Sequence, residues 1–173
     1  MEPRPQSNPA HDRLLLLYLL DGADMWLSEL QIVQVFSELG LLTYFAIKAG
    51  LAELVQSGLA EENVADSSSS YHILPEGSST IATLLNDVRL SMREALDAYL
   101  EAHRSVLSAE SRFRSYFLTE NGRIRVHLEI HAGGRPIFEL IVEAGSRAEA
   151  QQMTHLWRDH AVSIYQSVLA NLC

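Results

Sequence analysis

Four punctuation marks in the first third of the chain set where helices begin and end. Ser28-Glu-Leu-Gln31 is a capping box: the Ser28 hydroxyl accepts from the Gln31 amide while the Gln31 side chain reaches back. Gly40 closes the helix that this box opens, whose Ile32, Phe36 and Leu39 share one face. Thr43 caps a third helix, in which Ile47, Leu51, Leu54 and Val55 recur at helical spacing. Gly58 supplies its left-handed stop. Ahead of these marks, residues 11–20 (HDRLLLLYLL) form an apolar helix closed by Asp21-Gly22. Behind them, residues 59–64 and 71–74 read as two strands joined by Ala-Asp-Ser-Ser-Ser-Ser, and Pro75-Glu-Gly77 as a stop. The joint at residues 40–42 suits a helix-turn-helix corner. Three helices, a tight joint and a two-stranded wing predict a winged helix-turn-helix over residues 11–77.

The rest of the chain changes period once. Ser78-Ser79 caps a helix beginning near Thr80. A second stretch, from Val88 to about Leu107, carries Leu96, Tyr99, Leu100, His103 and Val106 along one side. From Arg112 the apolar period falls from 3.6 to 2, and residues 112–119, 123–131 and 135–144 read as strands. Asn121-Gly122 is suited to a type I′ turn, and Gly133-Gly134 serves the second hairpin. Ser146-Arg-Ala-Glu149 is another capping box, opening a helix with Met153, Leu156, Trp157, Ala161, Ile164, Val168 and Leu172 along one face. That helix is expected to cover the apolar side of a three-stranded antiparallel meander. The expected class is α+β: a tail over residues 1–10, a winged helix-turn-helix over 11–77, linker helices over 78–109 and a β-β-β-α domain over 110–173.

Charge is informative once it is divided along the chain. Net charge is −9, and residues 1–87 carry three basic side chains (Arg4, Arg13, Lys48) against twelve acidic ones. Residues 88–173 carry ten of each, so the whole excess sits on the half with the helix-turn-helix pattern. No run approaches the roughly 20 apolar residues of a membrane-spanning helix. Cys173 is the only cysteine, which excludes an internal disulfide and a cysteine-based zinc site and agrees with a cytoplasmic location.

Leu-Leu-Leu-Leu-Tyr-Leu-Leu-Asp21, the third-helix ending Glu53-Leu-Val-Gln-Ser-Gly-Leu59 and Leu74-Pro-Glu-Gly77 resemble the bacterial winged-helix superfamily. The particular match is to the family labelled domain of unknown function 4364, which is related to regulators of the PadR type, and it covers nearly the whole chain. The resemblance implies a DNA-binding transcriptional regulator. Its third helix would read the major groove with Thr43, Tyr44, Lys48 and Ala52, with Gln31 and Gln34 nearby. Ser68 and Ser69 of the wing tip would lie on the backbone. It also implies a homodimer, built on the linker-helix stripe or on the open face of the meander with Tyr116, Leu118, Ile137 and Ile141.

The acids oppose that role, because Glu53, Glu61, Glu62 and Asp66 flank the reading surface and repel phosphates. The rival reading is an adaptor without DNA binding, whose acidic face suits a basic protein partner. There Tyr44 and Phe45 are contact aromatics; otherwise Phe45 packs beneath the turn. Enzymatic motifs are missing from the sequence: no phosphate loop, nucleophile elbow or paired-carboxylate pattern is present. His127, Glu129 and His131 fall on one strand face about 7 Å apart. They are read as the solvated side of the sheet, and no metal, cofactor or catalytic residue is assigned. Tyr116, Trp157 and Tyr165 are candidate liners of a ligand cavity and are read as core.

Overall fold

A computed structural model describes residues 8–65, 68–132 and 135–172. The sequence expectations for the tail (1–7), part of the wing tip (Asp66 and Ser67), Gly133-Gly134 and Cys173 lie outside the described residues. Those described form six α-helices and two three-stranded antiparallel sheets, so the chain is mixed α+β. It divides into two compact units, Met1–Asn63 with Ser70–Ser105 and Val64–Ser69 with Val106–Cys173. No described helix is long and apolar enough to cross a membrane.

In the first unit α1 (Pro9–Ala23) starts at the Asn8 cap, whose side chain accepts from the Ala10 amide at 3.1 Å. It buries Leu15, Leu16, Leu17, Leu19 and Leu20, as a helix apolar on nearly every side must. It does not close at Asp21-Gly22. Gly22 instead lies where a Cβ would come within 3.0 Å of the Leu100 side chain, and the left-handed residue is Asp24 (φ 49°). The glycine serves close approach and the aspartate makes the stop, which its short polar side chain tolerates.

The Ser28–Gln31 capping box forms in full at the head of α2 (Glu29–Leu39), with bonds of 3.2 and 2.8 Å. Ser28→Ala is therefore expected to cost about 1 kcal/mol, read as a lower urea midpoint. An unchanged midpoint would contradict the cap's role. The α2 helix ends at Gly40 (φ 64°), where the Leu41 amide bonds the Phe36 carbonyl and the Gly40 amide bonds the Ser37 carbonyl. α3 (Tyr44–Gln56) ends in the same way at Gly58, through Leu59 to Leu54 and Gly58 to Val55. Both are Schellman endings, which place a glycine in the left-handed region. α3 packs on α1 through Ile47, Gly50, Leu51 and Leu54.

Two features correct the sequence reading here. The sheet has a third strand, β1 (Leu27–Ser28), pairing antiparallel with β3 (Ser69–Ile73) beside β2 (Ala60–Val64). Pro75-Glu-Gly77 is not a stop but the first turn of α4 (Pro75–Thr83), with Pro75 inside the start and Leu74 extended before it. A short 3₁₀ turn (Leu85–Asp87) precedes α5 (Leu90–Arg112). The Leu96, Tyr99 and Leu100 stripe expected at a dimer interface is buried within the chain, while Val106 remains exposed.

In the second unit β4 (Phe113–Glu120), β5 (Arg123–Ala132) and β6 (Arg135–Ala144) form the expected meander in that order. Asn121 (φ 51°) and Gly122 (φ 77°) have the paired positive angles of a type I′ turn. α6 (Arg147–Leu172) starts with Ser146 accepting from the Glu149 amide at 3.1 Å. The reciprocal Glu149 bond goes one residue back, to the Gly145 amide at 2.7 Å. It covers one sheet face, enclosing Phe117, Val126, Leu128, Ile130, Trp157 and Ala161.

Candidate nucleic-acid interface

The surface at the start of α3 is built by the two caps and the short joint between them. Gln31, half-buried, accepts the Ser28 amide and so belongs to the helix start. Gln34 is exposed and donates to Glu38 at 2.8 Å along its own helix. The Thr43 hydroxyl accepts from the Ala46 amide at 3.3 Å. Lys48 donates to Glu29 at 2.6 Å, and the Tyr44 hydroxyl donates to the other oxygen of the same carboxylate at 3.4 Å. That hydrogen bond holds the Lys48 ammonium above its usual pKa, with desolvation pulling more weakly the other way. The structure therefore brings Tyr44 and Lys48 together on Glu29, while Thr43 caps its own helix. Nineteen positions separate Glu29 from Lys48, so no local motif announces the pair.

One face of α3 stays open: Phe45, Lys48, Ala49 and Ala52, at the i, i+3, i+4 and i+7 positions of a helix. Phe45 does not pack beneath the turn. It is 81% exposed and meets Tyr44 edge-on at 5.9 Å, with Leu30 at 75% exposure on α2. Of the flanking acids, Glu53 pairs with Arg13 and Glu62 accepts from the Tyr71 hydroxyl at 2.7 Å. Ser68 and Ser69 belong to the other compact unit, where the Ala65 amide donates to the Ser68 carbonyl at 3.0 Å. The first unit also holds an open cavity of about 340 Å³, walled by Leu14, Leu17, Leu54, Leu59 and Leu84.

In the second unit the His127–Glu129–His131 row is not a solvated sheet face, since Glu129 and His131 are both buried. Glu129 accepts from His131 at 2.6 Å, from the Tyr116 hydroxyl at 2.9 Å and from Arg114 at 3.3 Å. Burial pushes its carboxyl up, but these three partners together outweigh that and hold it below the usual value. Tyr116 stacks on His127 at 4.8 Å, whereas Trp157 lies in the core and Tyr165 meets Phe138, so the three aromatics do not line one cavity.

A solved structure titled "Crystal structure of SSV1 F-93" is similar to this chain at 12% identity and a TM-score of 0.35. The match covers 61% of this chain and 99% of that one. No curated protein matches. The family model described as a domain of unknown function (DUF4364) matches residues 12–172. With almost the whole described fold inside that match, the chain belongs to the DUF4364 family.

Proposed function

We propose that the first unit is a winged helix-turn-helix that reads duplex DNA with α3, making the protein a non-enzymatic, distantly PadR-like transcriptional regulator of the cytoplasm. The observation that carries this reading is the open face of α3, delivered past a three-residue joint by two capped helices. Phe45, Ala49 and Ala52 offer a ring and methyl groups, the chemistry that meets thymine methyls in the major groove. The preferred target is therefore A/T-rich. Lys48 supplies the phosphate contact, and Glu29 competes for it, so binding is selective and salt-sensitive rather than tight.

Selection from a random duplex pool at about 50 mM salt, where electrostatic binding is strong, is expected to enrich an A/T-rich palindrome. Lys48→Glu should abolish the enrichment, because it reverses the charge on the open face. Glu29→Gln should tighten binding severalfold, because it releases Lys48 and removes a repelling charge. Weaker binding by Glu29→Gln would contradict the arrangement.

A palindrome requires paired readers, and we propose a homodimer. Ile137 and Ile141 on the meander, with Val162, Leu169 and Leu172 on α6, remain exposed to build it. Light scattering should give about twice the 19.3 kDa chain mass, and a monomeric mass would exclude the dimer.

A second reading rests on the exposure of Phe45, Leu30 and Tyr44 over an acidic ground. That surface fits a protein partner with a basic, apolar segment. If no duplex is enriched at any protein concentration, this adaptor role replaces the first.

A further inference from the structure

We propose that His127, Glu129 and Glu139 form a binding site for a divalent transition-metal ion of the Zn²⁺ class, clamping β5 to β6. Each of the three offers one ligand atom, and all of these atoms lie within 4.8 Å of one another. His127 Nδ1 and Glu139 Oε1 are 3.2 Å apart. Bonds of about 2.0–2.2 Å to zinc put neighbouring tetrahedral ligand atoms roughly 3.3 Å apart, so this pair already has the required spacing. Glu139, the most exposed of the three, can close the remaining distance by side-chain rotation.

The backbone explains why they meet. His127 and Glu129 are two apart on β5 and project to the same side, and Glu139 is the direct cross-strand partner of Glu129. Two glutamates directly opposite each other are destabilising, the more so with Glu129 only 6% exposed. Arg114 offsets one of these charges, and Glu139 faces the His127 ring. A divalent ion placed between the carboxylates removes their repulsion.

The surrounding residues orient the ligands as a metal site requires. Tyr116 stacks on the His127 ring with the planes 4° apart, fixing the direction of its nitrogens. The Tyr116 hydroxyl holds one oxygen of Glu129, while Arg114 and His131 hold the other. One imidazole nitrogen and two carboxylate oxygens suit zinc with a water in the fourth position. They do not suit Ca²⁺ or Mg²⁺, which take six or more ligands and prefer all oxygen.

The test uses the full chain, stripped with chelator and titrated calorimetrically with Zn²⁺, and separately with Co²⁺ while visible absorption is recorded. One equivalent is expected, with a tetrahedral Co²⁺ spectrum and a raised melting temperature on Zn²⁺ addition. His127→Ala and Glu139→Gln should each weaken binding at least tenfold. His155→Ala, at an exposed position on α6, should leave it unchanged. Glu139→Gln keeps size and sits at a surface position, so it reads out binding in a folded chain. No binding at millimolar metal would overturn the proposal, and so would binding that survives Glu139→Gln or disappears in His155→Ala.

Discussion

Trp157→Ala is expected to lower the stability of the second unit by about 3–5 kcal/mol, the range for emptying a large buried aromatic site. The indole is only 2% exposed and sits where α6 crosses the meander, near-parallel to the Phe138 ring at 6.3 Å. Alanine leaves a cavity between layers that cannot collapse, because Phe117, Val126 and Ile130 are held on the strands by the ladder. It also removes the indole N–H bonded at 3.1 Å to the Glu129 carbonyl, beside the β5–β6 register shift at Ile130/His131. Losing that hydrogen bond adds about 0.5–1.5 kcal/mol. Trp157→Phe should recover most of the packing and none of the hydrogen bond, falling between the two. Urea unfolding followed by circular dichroism measures both, and equal losses for Phe and Ala would show that packing at this site is not the source.

A comparable loss is expected from Gly77→Ala, for a different reason. A Cβ on Gly77 would stand 2.1 Å from the Leu59 carbonyl oxygen and 2.9 Å from the Ile73 side chain. The oxygen is backbone, fixed by accepting the Leu74 amide at 3.0 Å, so it cannot swing aside. Helix α4 must then lift from the sheet, at a cost of about 3 kcal/mol, the upper end for overpacking. Alanine's better helix propensity returns at most about 1 kcal/mol. Gly58→Ala separates this effect from backbone strain. Gly58, unlike Gly77, has positive φ, but nothing lies within 4 Å of its Cβ position, so its loss should stay nearer 1 kcal/mol. Equal losses at the two glycines would contradict the contact at Leu59.

The features legible in the sequence are those set by chemistry within four or five residues. The Ser28 box, the glycine endings after α2 and α3 and the Asn121-Gly122 turn are all of this kind, and each forms as read. The alternation along β5 likewise put Val126, Leu128 and Ile130 in the core. What escaped depends on distant partners. β1 is two residues long and exists because β3 pairs with it. Gly22 is read locally as a helix end, yet its purpose is to admit Leu100. A proline followed by a glycine looks like a terminator, and only the packing of α4 on Leu59 makes it a beginning.

The candidate site divides in the same way. Thr43, Tyr44 and Lys48 could be placed on one end of a helix from their spacing. Glu29 reaches Tyr44 and Lys48 only because the corner folds α2 against α3. The burial of Glu129 escaped for a related reason: Arg114 and Tyr116 arrive from β4 and make a charged residue tenable inside.

Contact between the open face of α3 and duplex DNA can be read by titrating the ¹⁵N-labelled chain with an A/T-rich duplex at about 50 mM salt. Amide shifts are expected to concentrate between Thr43 and Ala52, with Phe45, Lys48 and Ala49 the largest, and to fade as salt is raised. Shifts confined to residues outside α2 and α3, or a spectrum that does not change at saturating duplex, would contradict it.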